Sequence, residues 1–137
     1  MSRHQLPFPV QDHQTKGLEY LQACIREGLR LYQPLFQLRE RVVPPGGDYI
    51  QGYRVPEGTF VGINASATQL DGIYGDDTEI FRPERWLLED GPRKRRMLLT
   101  LDLVFGGGKT RCLGSQMAYM EMNKIVFEVR LVCVDCS

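Results

Sequence analysis

The chain has 137 residues, 42% of them apolar and 25% charged, which suits one small globular domain with its own core and argues against disorder. Seventeen Lys and Arg balance seventeen Asp and Glu. A general nucleic-acid or acidic-membrane binder is therefore disfavoured, because phosphate recognition needs a cationic surface.

No apolar run approaches the ~18 residues of a membrane helix. Residues 1–11 lack the apolar stretch of a secretory signal. Four irregularly spaced cysteines, Cys24, Cys112, Cys133 and Cys136, read as thiols of a reducing compartment, not as a disulfide framework.

Residues 1–16 read as a loose leader, with Pro7, Pro9, two His and no periodicity. From Gly17 the pattern changes. Leu18, Leu21, Ile25, Leu29 and Tyr32 recur at helical spacing until Pro34, which predicts an amphipathic helix of about four turns. Arg41-Val42-Val43 is β-prone and ends in the turn signal Pro44-Pro45-Gly46-Gly47. Short strands are expected at Asp48 to Gln51, Tyr53 to Val55 and Thr59 to Ile63, and a short helix at Ala65 to Leu70.

Tyr74 to Leu101 reads as mostly irregular. It switches from seven acids between Asp71 and Asp90 to the run Arg93-Lys94-Arg95-Arg96. Leu113 to Arg130 predicts a second helix. Its stripe of Leu113, Met117, Met120, Ile125 and Phe127 is wide enough to suggest burial, and residues 131–137 form a short tail.

The constellation with most chemical content is Phe105-Gly106-Gly107-Gly108-Lys109-Thr110-Arg111-Cys112-Leu113-Gly114. A glycine-rich loop delivers a cysteine to the start of a helix, where exposed amides favour anions. Glycines let backbone approach a sulfur or a flat ligand closely, and a thiolate so placed is a nucleophile or a soft metal ligand. The bland alternative is a buried structural cysteine in a tight turn. Gly108-Lys109-Thr110 ends like the phosphate loop G-x-x-x-x-G-K-S/T, but the first glycine would fall at Leu103. Cys133-x-x-Cys136 lacks a second pair or a His partner, so it is a weak metal or dithiol signal.

Glu27 and Arg30 lie three apart on one helix face. Alone they read equally as a surface ion pair of little worth. Phe81-Arg82-Pro83-Glu84-Arg85-Trp86 mixes aromatics, charge and proline. It is either a surface loop anchored by Trp86 or a loop whose Arg85 reaches back to a buried Glu27–Arg30 pair, which would need such additional hydrogen bonds.

Taken together and in this order, these pieces resemble the C-terminal, haem-binding portion of a cytochrome P450, most like the fungal or other eukaryotic microsomal type. Phe105 to Gly114 matches the family's cysteine loop F-x-x-G-x-x-x-C-x-G. Glu27-x-x-Arg30 matches its E-x-x-R helix, and Phe81 to Trp86 its P-E-R-F/W segment. Tyr53 to Thr59 is similar to its strand-turn I-P-x-G-T region. The resemblance covers Gly17 to about Arg130, so residues 17–130 would form a partial haem-thiolate domain.

The fold it implies is mainly α with a small β region (α+β): the E-x-x-R helix, short β hairpins, an irregular loop, the cysteine loop and the helix after it. It also implies haem b held by the Cys112 thiolate, with Phe105, Gly106, Gly108, Arg111 and Gly114 around it and Arg41 on a haem propionate. Glu27, Arg30 and Arg85 would be a structural triad rather than catalytic residues. Thr110 departs from the pattern, because the family commonly has Arg or His there for a propionate; Lys109 or Arg111 would have to compensate.

The implied activity is monooxygenation. Thiolate donation favours O–O cleavage, so that one atom of O2 enters an apolar small molecule and the other becomes water. Its electrons would come from an NADPH-cytochrome P450 reductase-type donor, for which Arg93 to Arg96 offer complementary charge unless they are simply a solvated loop. Such enzymes are usually associated with the endoplasmic reticulum membrane. This chain carries no anchor or signal, so a cytoplasmic-side or soluble location is expected, with no nucleic-acid partner. Family members are several times longer, with the oxygen-activating helix before the E-x-x-R helix. The expectation is therefore a truncated segment, inactive alone. Leu35, Phe36 and Leu38 would form an apolar wall of the pocket or plain core.

Overall fold

A computed structural model of the chain describes residues 9–33 and 39–135. It is mainly helical with two small antiparallel sheets, the α+β arrangement expected. Within the segment read as a leader, α1 (Asp12–Lys16) forms a short helix, and Val10 and Thr15 are buried. The Val10 N–H donates to Glu128 Oε1 at 2.8 Å, and Asn123 Nδ2 donates to Asp12 Oδ1 at 2.9 Å. These bonds dock residues 10–16 on the last helix, an attachment that local periodicity does not reveal.

The amphipathic pattern after Gly17 becomes α2 (Glu19–Leu31). It buries Ala23, Ile25 and Leu29 together with two charged residues, Glu27 and Arg30. Pro34, Leu35, Phe36 and Leu38 lie outside the described residues.

The strands follow the expected positions. β1 (Arg39–Val42) pairs with β4 (Phe60–Ile63), with Arg41 opposite Val61. Between them β2 (Asp48–Ile50) and β3 (Tyr53–Val55) form a hairpin. Its two-residue turn is Gln51-Gly52, both at positive φ, 49° and 85°, as the right-handed strand twist favours. At Gly47, φ is 78° and a Cβ would meet the Val55 carbonyl oxygen at 2.8 Å, so only glycine fits that crossing. The short helix α3 (Ala65–Thr68) follows, capped by the Asn64 side chain on the Ala67 N–H at 3.1 Å.

The region read as irregular contains a helix, α4 (Pro92–Asp102). It opens with Pro at its first position, where a missing N–H costs nothing. The basic run occupies its first turns, and only Met97 and Leu101, one turn apart, are buried. That is too little apolar periodicity to announce it.

α5 (Ser115–Asp135) is the long helix expected after the cysteine. Its apolar stripe is not buried: Leu113 just before it, and Met117, Met120 and Ile125 on it, are exposed. The helix meets the core instead through Ala118, Tyr119 and Met122. That core joins Ala23, Ile25 and Leu29 of α2 to Tyr74, Trp86, Met97, Leu101, Val104 and Phe105. It packs directly behind the cysteine loop.

Candidate functional site

The support of the site is a buried carboxylate. Glu27 and Arg30 face each other one turn apart on α2, and both side chains are fully buried. Arg30 donates from Nη2 to Glu27 Oε1 at 2.8 Å and from Nε to Oε2 at 3.0 Å. Arg85, on a 3-10 turn spanning Pro83–Trp86, donates from Nε to Oε1 at 2.9 Å. The Arg82 backbone N–H adds a bond of 3.1 Å to Oε1, and Trp86 Nε1 one of 2.8 Å to Oε2. The ion pair is thus the buried one, and Arg85 does reach back to it.

The remaining guanidinium donors go mostly to backbone carbonyls. Arg30 Nη1 donates to the Gln69 carbonyl at 2.8 Å. Arg85 donates to the carbonyls of Tyr74, Asp77 and Ile80 and to the Asp77 carboxylate. The Tyr74 ring centre lies 5.3 Å from the Arg30 guanidinium carbon, a cation–π contact, and 5.7 Å from the Trp86 ring centre with the two rings tilted by 56°. Among the described residues, no buried side-chain nitrogen or oxygen lacks a partner.

Burial alone would push the Glu27 pKa up. The hydrogen bonds from Arg30, the Arg82 backbone and Trp86 outweigh it, and the net shift is downward. Burial raises the Tyr74 pKa far above the ordinary phenol value. A buried pair is tolerable only when its lone pairs and protons are satisfied in this way.

The cysteine loop leaves this core through a 3-10 turn, Leu103–Phe105, in which Val104 and Phe105 are buried. Phe105 packs on Tyr119 of α5, ring centres 5.3 Å apart. Gly106 at φ 77° and Gly108 at φ 60° then reverse the chain, a conformation that L side chains resist. The Cys112 N–H returns to the Phe105 carbonyl at 2.8 Å, and the Cys112 carbonyl accepts the Ser115 N–H at 3.4 Å. Cys112 is exposed and outside any disulfide, three residues before α5. A Cβ on Gly114 would lie 3.9 Å from its sulfur.

Arg41 projects from β1 to the same loop. Its Nη2 donates to the Thr110 hydroxyl, and that hydroxyl donates to the Gly107 carbonyl at 3.3 Å. Arg111 turns away: Nη1 and Nη2 each contact Asp102 at 2.9 Å, on Oδ2 and Oδ1. Neither the Thr110 bridge nor the Asp102 clamp was legible from motif spacing, because both partners lie beyond the motif.

Between the sheet and the loop lies a cleft of about 430 Å³, lined by Arg41, Val42, Val61, Ile63, Leu103 and Gly106 among others. It is mostly apolar, with Arg41 and Asp48 as its charged lining residues. Gly106 and Gly107, which border this cleft, belong to the loop that carries the exposed Cys112 sulfur; a soft donor on that loop, an apolar cleft and a guanidinium are features that suit a flat, hydrophobic, anionic iron chelate.

The basic run is partly used internally. Arg93 Nε donates to the Ile73 carbonyl at 3.1 Å, and Lys94 pairs with Asp90 at 2.9 Å; Arg95 and Arg96 are exposed. Among the described residues, no helix is long and apolar enough to cross a membrane.

A buried Glu–Arg–Arg knot stands behind an exposed cysteine on a glycine loop. Comparison with known proteins gives its family. The cytochrome P450 family model matches residues 2–129. The chain is 43% identical over 121 residues to cytochrome P450 monooxygenase ABA1 of Pyricularia oryzae, covering 88% of this chain and 24% of that protein. It is 37% identical over 122 residues to cytochrome P450 monooxygenase aba1 of Botryotinia fuckeliana, with 88% and 24% covered. It is 40% identical over 119 residues to cytochrome P450 monooxygenase cicH of Emericella nidulans, with 86% and 24% covered. The chain belongs to the cytochrome P450 family, and it spans about a quarter of the length of these relatives.

Proposed function

We propose that this chain is the cysteine-bearing side of a haem-thiolate monooxygenase, in which Cys112 would hold the iron of haem b. The observation that carries the reading is the exposed Cys112 thiol, fixed by the bond of its own N–H to Phe105 at the mouth of α5. When bound, thiolate-ligated haem iron supplies dioxygen activation, placing one oxygen atom in an organic substrate and releasing the other as water.

The chain's own residues prepare that site. Phe105 backs the loop and keeps water from its inner side. Gly106 and Gly108 would let the backbone approach a planar cofactor closely, and Gly114 leaves room beside the sulfur. Arg41 neutralises a carboxylate of the cofactor. Glu27, Arg30 and Arg85 hold the scaffold and touch no reacting atom. The apolar lining of Val42, Val61 and Ile63 suits the cofactor's hydrophobic ring, and family membership supports an apolar small molecule as substrate. Exposed Arg95 and Arg96 support an acidic electron donor of the NADPH-cytochrome P450 reductase type, and family membership supports association with the endoplasmic reticulum membrane. The 137 residues alone are proposed to bind haem without turnover, the activity belonging to a protein of the relatives' length.

The test is reconstitution of the chain with haem, reduction, and addition of CO. A thiolate-type Soret band that Cys112→Ala abolishes supports the reading; a band unchanged in Cys112→Ala rejects it. The exposed apolar residues of α5 favour a second reading, a folded chain that holds no haem. A reduced, CO-treated spectrum identical to that of free haem, with native-like helical circular dichroism, selects it.

A further inference from the structure

Position 110 bears a threonine where a cation would be expected to meet a cofactor carboxylate, and the loop has other cations to take its place. Arg111 is forked onto Asp102 through both terminal nitrogens at 2.9 Å. A bidentate guanidinium–carboxylate pair is satisfied and directional. Arg41, in contrast, lines the apolar cleft, and its Nη1 donates to the Glu40 carbonyl at 2.7 Å while Nη2 donates to Thr110. A guanidinium has five N–H donors, so this anchoring leaves Arg41 donors for an anion. The Thr110 hydroxyl has one proton, given to Gly107, so its lone pairs face Arg41. Both residues are exposed, and without the bridge a long arginine side chain would sample many rotamers.

We infer that Thr110 is a positioning residue: it holds Arg41 over the cleft as the cation for a haem carboxylate, while Asp102 withholds Arg111 from that task. The assignment rests on the haem-binding reading above. It replaces a direct charge contact at position 110 with a neutral hydroxyl that orders a charge borne by β1.

The experiment titrates the full chain with haem and, in parallel, with haem dimethyl ester, whose carboxylates are blocked, following the Soret band. Thr110→Val and Arg41→Gln each weaken haem binding roughly tenfold and leave dimethyl ester binding unchanged. Thr110→Ser restores the wild-type value, and Thr110→Val adds nothing to Arg41→Gln. Arg111→Gln and Lys109→Gln do not alter the ratio of the two affinities. Equal losses with both ligands, or a carboxylate-dependent loss in Arg111→Gln or Lys109→Gln instead of Arg41→Gln, overturn the assignment and leave haem binding standing. A Soret band of added haem that the unsubstituted chain leaves unchanged overturns the haem reading and this assignment with it.

Discussion

Trp86 and Glu27, fifty-nine positions apart, are joined by a 2.8 Å hydrogen bond from indole Nε1 to carboxylate Oε2. Trp86 is 1% exposed and Glu27 fully buried, so water cannot replace either partner. Trp86→Phe keeps most of the ring packing and deletes the donor. Its expected cost is about 1.5–3 kcal/mol, the range for a hydrogen bond to a charged group, read from the urea midpoint at constant slope. Glu27→Gln strands two buried guanidinium groups and is expected to cost about 3–5 kcal/mol.

The Glu27 pKa is lowered in the folded state. Its stabilisation is therefore fully present above the unfolded carboxyl value, about 4.3, and fades as pH falls through the depressed folded value. The opposite sign holds for Tyr74, whose folded pKa is raised by burial. Its contribution is intact below the unfolded phenol value, about 10, and is lost as pH rises beyond it. Unfolding free energy measured against pH is expected to drop at both ends. Tyr74→Phe flattens the alkaline limb, and a limb of unchanged slope in that variant contradicts the assignment.

The Gly47 crossing predicts a sharp asymmetry between neighbouring turns. Gly47→Ala forces a Cβ to 2.8 Å from the Val55 carbonyl oxygen at φ 78°, and at least about 1–3 kcal/mol of stability is lost. Gln51→Gly relieves a side chain held at φ 49°, with an expected gain of about 0.5–1 kcal/mol. Thermal melts of the two variants should move in opposite directions.

On α5, Met117 and Met120 stand near one another a turn apart, as do Ile125 and Val129, and all four are exposed. Such ridges bind apolar dyes and other copies of the chain. Met120→Glu with Ile125→Lys should lower dye fluorescence and light scattering without changing helical circular dichroism. Unaltered scattering in the double variant counts against these ridges as the sticky surface.

The cysteine loop, the E-x-x-R helix and the strand positions were legible because each is written in contiguous residues: glycines where φ turns positive, β-branched runs bounded by turns. α4 was not, because its outward face is basic and its inward face is only Met97 and Leu101. The role of Trp86 was half legible. One of its two readings made it the anchor of a surface loop, but its bond to Glu27 depends on a partner that local spacing cannot locate. The same holds for Arg111, read as a cofactor contact and found on Asp102, and for Thr110, read as a gap and found beneath Arg41. The width of the α5 stripe indicated burial, but helical periodicity reports which residues share a face and not whether anything covers it.

Three stretches of chain, 27–30, 69–77 and 80–86, end on one acidic group and the two cations around it. An early encounter of any two leaves charge stripped of solvent and only partly compensated, so half-assembled forms are disfavoured. Folding here is expected to be a coincidence event: the segments dock together, in a single sharp transition, or stay apart.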